Sequence, residues 1–531
     1  MSRSRTRAAA LAIGLVALAG FGPSLASAQS APRIREIRIR SENVFEDAET
    51  SLLARVADSL HGTTREEVIR RELLFSEGET LDPERIAETA RNLRGLGFFR
   101  SVDVRVVPIT DEEVDVVVTT RDAWTTELSG SLGRIGGRGK FGAALTEVNL
   151  LGFGKKVAVS FASNPDRTTK EILYGDPQFL GRGLSLDLLY ASASDGDRRR
   201  FVLSRRFRSL DSPFAATVAL EDVTRETRVY DRGSEAARFG METAFLELSA
   251  GRRLTLFSDR PVARLSAGYR REEAHFTLEE GDPSTLPEDR QFGFFFARLD
   301  LLDPDFVVER DVAFFSRDED FDVGSALSFE VGYSAPLFGA QERIESALRL
   351  AHGVRIPNGF VLGLLTGRTR MRDSALENSL VEAEVFGVWK PGESSIHRLV
   401  ANALFSWGGH LDKEVQLAAD GATGLRGYRL HAFTGDRRLI VNLEDRVRLT
   451  GELFRLIQLG AAVFVDAGYA WPKGAALDLA DLRADAGVGL RVGLPRASRH
   501  ALFRIDLSYA LRPDLLGRRG WLVSFSGSQA F

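Results

Sequence analysis

A chain of 531 residues, 44% hydrophobic and 27% charged, is too long for one ordinary domain and calls for several folding units or one very large barrel. A formal net charge of −4 and a pI near 6.1 supply no concentrated basic face, which excludes nucleic acid as a partner. The absence of Cys excludes a disulfide framework, a Cys-ligated zinc site and lipid attachment through an N-terminal Cys.

Residues 1–28 read as a cleavable export signal. Arg3, Arg5 and Arg7 precede an apolar stretch over 8–21, and Ala26-Ser27-Ala28 supply the small residues a signal peptidase needs, so the mature chain is expected to start at Gln29. The alternative, an uncleaved anchor, has to contend with a short apolar run that Gly20, Gly22 and Pro23 interrupt. No later apolar run is long enough for a spanning helix.

Residues 29–122 carry the pattern of a small α+β domain. Ile37 and Ile39 alternate with Arg38 and Arg40 in a first strand. Thr64 and Glu67 form a capping-box pattern ahead of Val68, Ile69 and Leu73, and Asp82-Pro83 opens a second helix with Ile86, Ala90 and Leu93 on one side. Gly95 and Gly97 end that helix, and strands over 102–106 and 114–118 follow. This β-α-α-β-β order, with Leu73-Leu74-Phe75, Arg91-Asn92-Leu93-Arg94 and Phe98-Phe99-Arg100-Ser101-Val102, resembles a POTRA domain, the polypeptide-transport-associated module. The resemblance implies a sheet edge that accepts an extended client by strand addition; a plain spacer or plug is the competing reading.

From 123 to 531 the chain becomes a long series of alternating segments of roughly 8 to 12 residues, the length of tilted strands that cross a bilayer. Fifty Gly and 35 Phe suit such strands and their turns. In 501–509, Phe503, Ile505, Leu507 and Tyr509 are expected to face lipid, and Arg504, Asp506 and Ser508 a polar lumen. The last segment puts Trp521, Val523, Phe525 and Phe531 on one parity and Ser524, Ser526 and Ser528 on the other, and it looks like the closing strand of a bacterial outer-membrane protein. Gly527 within it weakens pairing.

Further motifs carry the resemblance to the BamA/TamA-type outer-membrane superfamily. They are Glu147-Val148-Asn149-Leu150-Leu151-Gly152, Tyr174-Gly175-Asp176-Pro177 and, above all, Gly424-Leu425-Arg426-Gly427-Tyr428. The last is similar to that superfamily's Arg-Gly-aromatic signature on a loop folded into the lumen, here about 412–438, with Leu425 where the family usually has Val. Alternation in 439–447 points Asn442, Glu444 and Arg446 inward, and in 459–469 it points Asp466 inward beside Phe464 and Gly468, the family's strand motif. An Arg between two inward carboxylates suits a folded-in loop, because a buried charge is tolerated only when paired. In the alternative reading Arg426 sits in a solvated outer loop and the acids line a polar pore.

The resemblance implies a 16-stranded barrel, whereas about 20 alternating segments can be marked, five of them after the loop. Hairpins standing above the membrane would absorb the excess, and a larger barrel is the other solution. Gly137-x-Gly139-x-x-Gly142 matches a dinucleotide fingerprint only as a string, and Gly-x-Ser-x-Gly and His-Glu-x-x-His motifs are missing. No enzyme activity and no cofactor are expected. The resemblance implies an outer-membrane protein with its first domain in the periplasm. It would assist insertion or translocation of exported polypeptides, with unfolded outer-membrane or secreted chains, outer-membrane lipid and accessory proteins as partners. A passive channel or structural barrel is the alternative.

Overall fold

The computed structural model describes residues 31–43, 62–135, 138–164, 167–181, 183–257, 260–336, 340–392, 395–454, 456–495 and 502–526. The signal segment, Gly527 and Phe531 lie outside them.

The first unit contains β1 (Arg33–Glu42), α1 (Glu66–Arg70), α2 (Pro83–Gly95), β2 (Phe99–Pro108) and β3 (Glu113–Asp122). Asp82 caps α2 by accepting from the Glu84 and Arg85 amides, with Pro83 in the first turn. The capping-box expectation for α1 is corrected. Arg65 occupies the N-cap position, and Thr64 instead gives its amide and hydroxyl to Asp122 at 2.7 and 2.8 Å. A tertiary carboxylate out-competes the local cap, and α1 is left with a single turn. The sheet order is β1-β3-β2, and Ile34, Ile37, Val68, Ile69, Leu93, Phe98, Val116 and Val118 form its core.

The wall that follows starts with β4 (Thr126–Ile135), β5 (Arg138–Glu147), β6 (Lys156–Ser163), β7 (Thr168–Phe179), β8 (Leu184–Ala193) and β9 (Gly196–Arg205). Long strands come next: β10 (Phe214–Asp231), β11 (Ser234–Leu254), β12 (Val262–Glu280) and β13 (Arg290–Asp303). A separate hairpin, β14 (Phe306–Arg310) with β15 (Asp318–Asp322), interrupts the series. The wall resumes with β16 (Ser325–Ser334), β17 (Arg343–Ile356), β18 (Gly359–Arg372), β19 (Ala375–Trp389) and β20 (His397–Gly409). Short β21 (Leu417–Ala419) and β22 (Phe433–Gly435) pair within the next loop, and β23 (Arg437–Arg448), β24 (Gln458–Trp471), β25 (Arg483–Gly493), β26 (Leu502–Ala510) and β27 (Trp521–Ser526) complete the wall.

Among the described residues twenty strands close into one antiparallel barrel, with β27 beside β4. The sixteen implied by resemblance are exceeded, and the extra segments are not hairpins above the membrane. Each pairs with both its neighbours, because each holds a full alternating run whose apolar face needs lipid. Five wall strands follow the loop. Of the string Gly137-x-Gly139-x-x-Gly142, Gly139 and Gly142 lie on β5 paired to β4, and Gly137 lies outside the described residues.

Strands β10 to β12, at 18 to 21 residues, are longer than the roughly 9–11 a bilayer needs, so they project on the side away from the first domain. That domain lies across the other mouth. Gln178 gives its amide to the Val68 carbonyl and Glu72 at 2.9 and 2.6 Å. Asn92 reaches the Arg208 carbonyl at 3.0 Å, and Arg100 meets Glu452 at 2.6 Å. Asn149 completes the Thr64–Asp122 contact by donating to the Thr64 hydroxyl at 2.7 Å. Asn149 of the first early-strand motif and Gln178, directly after the second, therefore help hold the first domain against the barrel.

Candidate functional site in the barrel lumen

The loop between β20 and β23 turns inward. Asp420 shapes it, accepting from the Ala422 and His431 amides at 2.9 and 2.7 Å. Leu425, Tyr428, Ala432 and Phe433 bury themselves against Ile440, Ala470 and Ala510 of the wall. Gly424 holds a φ of +127°, and a Cβ on Gly427 would lie 2.4 Å from that of Asp485, so glycine is needed on both sides of Arg426. The Tyr428 hydroxyl lies 3.0 Å from the Ala484 and Arg512 carbonyls, tying the loop to the rim.

Arg426 is 3% exposed. Its Nε and Nη2 make a fork on Asp466 at 2.8 and 2.9 Å, and Nη1 donates to Glu444 at 2.7 Å. The guanidinium also lies over the Phe464 ring, 3.4 Å from its centroid. Asn442 bridges loop and wall, donating to the Gly424 carbonyl at 2.7 Å and to Asp466 at 2.8 Å. Gly468, two residues along, passes close to the β23 backbone: a Cβ there would meet the Leu439 carbonyl at 2.5 Å.

The cluster is larger than the alternation of these two strands discloses. Arg446 donates to Glu444 at 3.0 Å, and Arg491 bridges Glu444 at 2.9 Å and Asp506 at 2.5 Å. Arg504 lies 3.3 Å from Asp506, and Asp485 stands opposite Asp466 in the β24–β25 ladder. Four arginines (426, 446, 491 and 504) thus pair with three buried acids (444, 466 and 506), whereas Asp485 faces Asp466 and makes no ion pair among the described residues. Arg491 and Asp485 escaped sequence reading; their signal is the inward parity of the small-residue run over 485–493. Glycines 487 and 489 open the space that the Phe464 ring and the Arg491 guanidinium occupy.

Outside the membrane, the β10–β11 tip closes over the loop. Gln416 exchanges hydrogen bonds with the Tyr230 backbone at 2.9 and 3.0 Å, and the Tyr230 ring stacks on His431 at 3.7 Å. In the closing strand Trp521 and Phe525 point outward, while β27 has only six described residues.

A sequence profile described as "POTRA: Surface antigen variable number repeat" matches residues 59–121. The outer membrane protein assembly factor BamA of Neisseria meningitidis serogroup B is 29% identical over 136 residues, 25% of this chain and 17% of that protein. BamA of Neorickettsia risticii is 34% identical over 99 residues, 18% of this chain and 13% of the relative. The chain thus spans under a fifth of the length of the curated relatives it matches. Among solved structures, BamA from Haemophilus ducreyi lacking POTRA domains 1–3 aligns at a TM-score of 0.41 and 14% identity, covering 93% of this chain and 85% of that one. CdiB from Escherichia coli aligns at 0.49 and 12%, covering 93% and 76%. A POTRA match at the front of a closed antiparallel barrel, together with sequence similarity to BamA from two organisms, is what this chain shares with outer-membrane proteins of the BamA/TamA type, and it puts the barrel in the outer membrane with the POTRA domain in the periplasm.

Proposed function

We propose that this protein assists the insertion or translocation of exported polypeptides at the outer membrane. The observation that carries the reading is Arg426, forked onto Asp466 and bonded to Glu444 in a buried, ion-paired cluster inside the lumen. A loop locked in this way fills the barrel, and filling serves a machine that must stay tight between clients; a passive channel gains nothing from it.

Two further features supply a route for the client. In the POTRA sheet β3 is central, and the outer edge of β2 has no strand partner among the described residues, so it offers main-chain hydrogen bonds to an extended segment of any sequence. The far edge of β1 is partly covered, since Ile34 exchanges hydrogen bonds with Glu79 and Gly78. The barrel closes between β27 and β4, the one junction that joins the two ends of the wall, and this is the seam proposed to open for the client. The client enters at the POTRA edge and leaves through this seam, with unfolded outer-membrane or secreted chains as substrates.

The test is depletion of the protein followed by comparison of outer-membrane and secreted proteomes. A selective loss of particular barrel or secreted proteins is expected. Unchanged proteomes together with altered solute uptake would overturn the assignment in favour of a channel.

A further inference from the structure

We propose that residues 305–323 form a stopper that plugs the barrel from the periplasmic side and is held shut by the POTRA domain. This turn between β13 and β16 folds inward across the periplasmic mouth. Its β14–β15 hairpin seats against the inner face of the wall at the periplasmic ends of β18 to β20 and β23 to β25, and three independent sets of contacts receive it there.

The tip residue Phe315 sits in a socket on β24 and β25. The socket exists because two inward positions are glycine: a Cβ on Gly460 would lie 2.5 Å from the Phe315 ring, and one on Gly493 equally close. Beside it, Phe360, Val388 and Val400 of β18 to β20 turn apolar side chains into the lumen and bury them with Val312 and Val323, backed by Val307 and Phe321. A wet lumen gives no reason for inward apolar residues, so this patch is built for the hairpin. Polar contacts finish the seat. Arg446 donates to the Val312 carbonyl at 2.9 Å, Arg448 meets Asp311 at 3.0 Å, and Ser316 donates to Gln458 at 3.0 Å.

The hairpin is also shaped in advance. Glu319 accepts from the Val312, Ala313 and Phe314 amides at 3.0 to 3.3 Å, and Asp311 accepts from the Ser316 amide at 2.8 Å. At its base the POTRA helix α2 grips it. Arg94 forks onto Asp320 at 2.7 and 2.8 Å, and the Arg91 guanidinium lies 4.4 Å from the Phe306 ring centroid.

One physical path therefore runs from POTRA through the hairpin to the lumen cluster. Arg446, which holds the Val312 carbonyl, also bonds Glu444, and Glu444 bonds Arg426 of the outer loop. Two plugs, one from each face, meet on a single carboxylate. Displacing POTRA breaks the Arg94–Asp320 fork and frees the lower plug. This inference concerns closure alone, so it stands or falls separately from client handling.

Conductance of the full-length protein in planar lipid bilayers tests it. An unplugged barrel of this size encloses an aqueous channel, so replacing 306–322 with a Gly-Ser linker is expected to raise the mean current at least about tenfold over a mostly closed wild type. Asp320→Ala is expected to open the channel more often. A Cβ on Gly493 lies 3.3 Å from Phe315 Cβ and the chain has no Cys of its own, so Phe315→Cys with Gly493→Cys should form one unambiguous disulfide. Placed in the Asp320→Ala background, that pair should silence the openings when oxidised and release them on reduction. A linker variant that is folded, by its heat-modifiable gel migration, yet conducts like wild type overturns the stopper. So do Asp320→Ala openings that persist after oxidation. An Asp320→Ala channel as quiet as wild type overturns the POTRA latch.

Discussion

Arg426 does not leave its two acids equally exposed when it is removed. Glu444 keeps Arg446 and Arg491, whereas Asp466 keeps the Asn442 amide and faces Asp485. Breaking a buried pair from one side costs about 3 to 5 kcal/mol, and here most of that falls on Asp466. Arg426→Ala is therefore expected to expose loop residues 418–436 to protease in intact cells and to abolish client-dependent growth. Adding Asp466→Asn should recover part of the loss, because it removes the stranded charge; a double variant as defective as the single would contradict this apportionment. Arg426→Lys should rescue only partly, since an ammonium keeps the charge without the planar fork.

At the scale of the element, the periplasmic hairpin carries a titratable group at its turn. Burial pushes the Glu319 carboxyl up to about 7, against the pull of three backbone N–H groups and with Asp311 adding to the rise. The charged groups around it are the Arg310–Asp318 pair across the hairpin, Arg446 and Arg448 from β23, and Lys390, which pairs with Glu309. Because the seated hairpin has the higher pKa, it holds a proton that the released hairpin gives up. Seating is then strongest below the ordinary carboxylate range and weakens as the pH rises through about 7. A nitroxide on Phe314→Cys, read by electron paramagnetic resonance between pH 5 and pH 8, should gain a mobile fraction toward the alkaline end. Glu319→Gln should flatten that profile, and an unchanged slope would reassign the titration.

The whole molecule is held by a wall of hydrogen bonds that close on themselves, so no described wall strand between β4 and β27 is left at an open edge. Detergent cannot peel such a barrel from a free side. Unboiled protein should consequently run faster than boiled protein on SDS gels, and identical migration would count against closure. The outer face offers lipid little beyond apolar side chains such as Leu128, Val159, Val463 and Phe525.

Local periodicity made much of this protein legible from its sequence. The POTRA order of strands and helices, the turn residues that bound α2, the side of the wall taken by Glu444 and Asp466, and a count of about 20 alternating segments all follow from periods of 2 and 3.6 and from capping chemistry. The family expectation of sixteen strands was the weaker guide, because each segment's own alternation already demanded a place in the wall. Contacts between distant parts of the chain were another matter. Thr64 bonds Asp122 across 58 positions instead of capping its own helix, and Arg94 meets Asp320 across 226. Arg491 joins Glu444 only because β25 curves beside β23's neighbour. Which acid an arginine meets inside a closed barrel depends on where closure brings the strands, and no local period encodes that. The tertiary structure alone decided that the turn over 305–323 folds against the inner face of the wall, because the apolar patch on β18 to β20 that buries it is assembled from strands far along the chain.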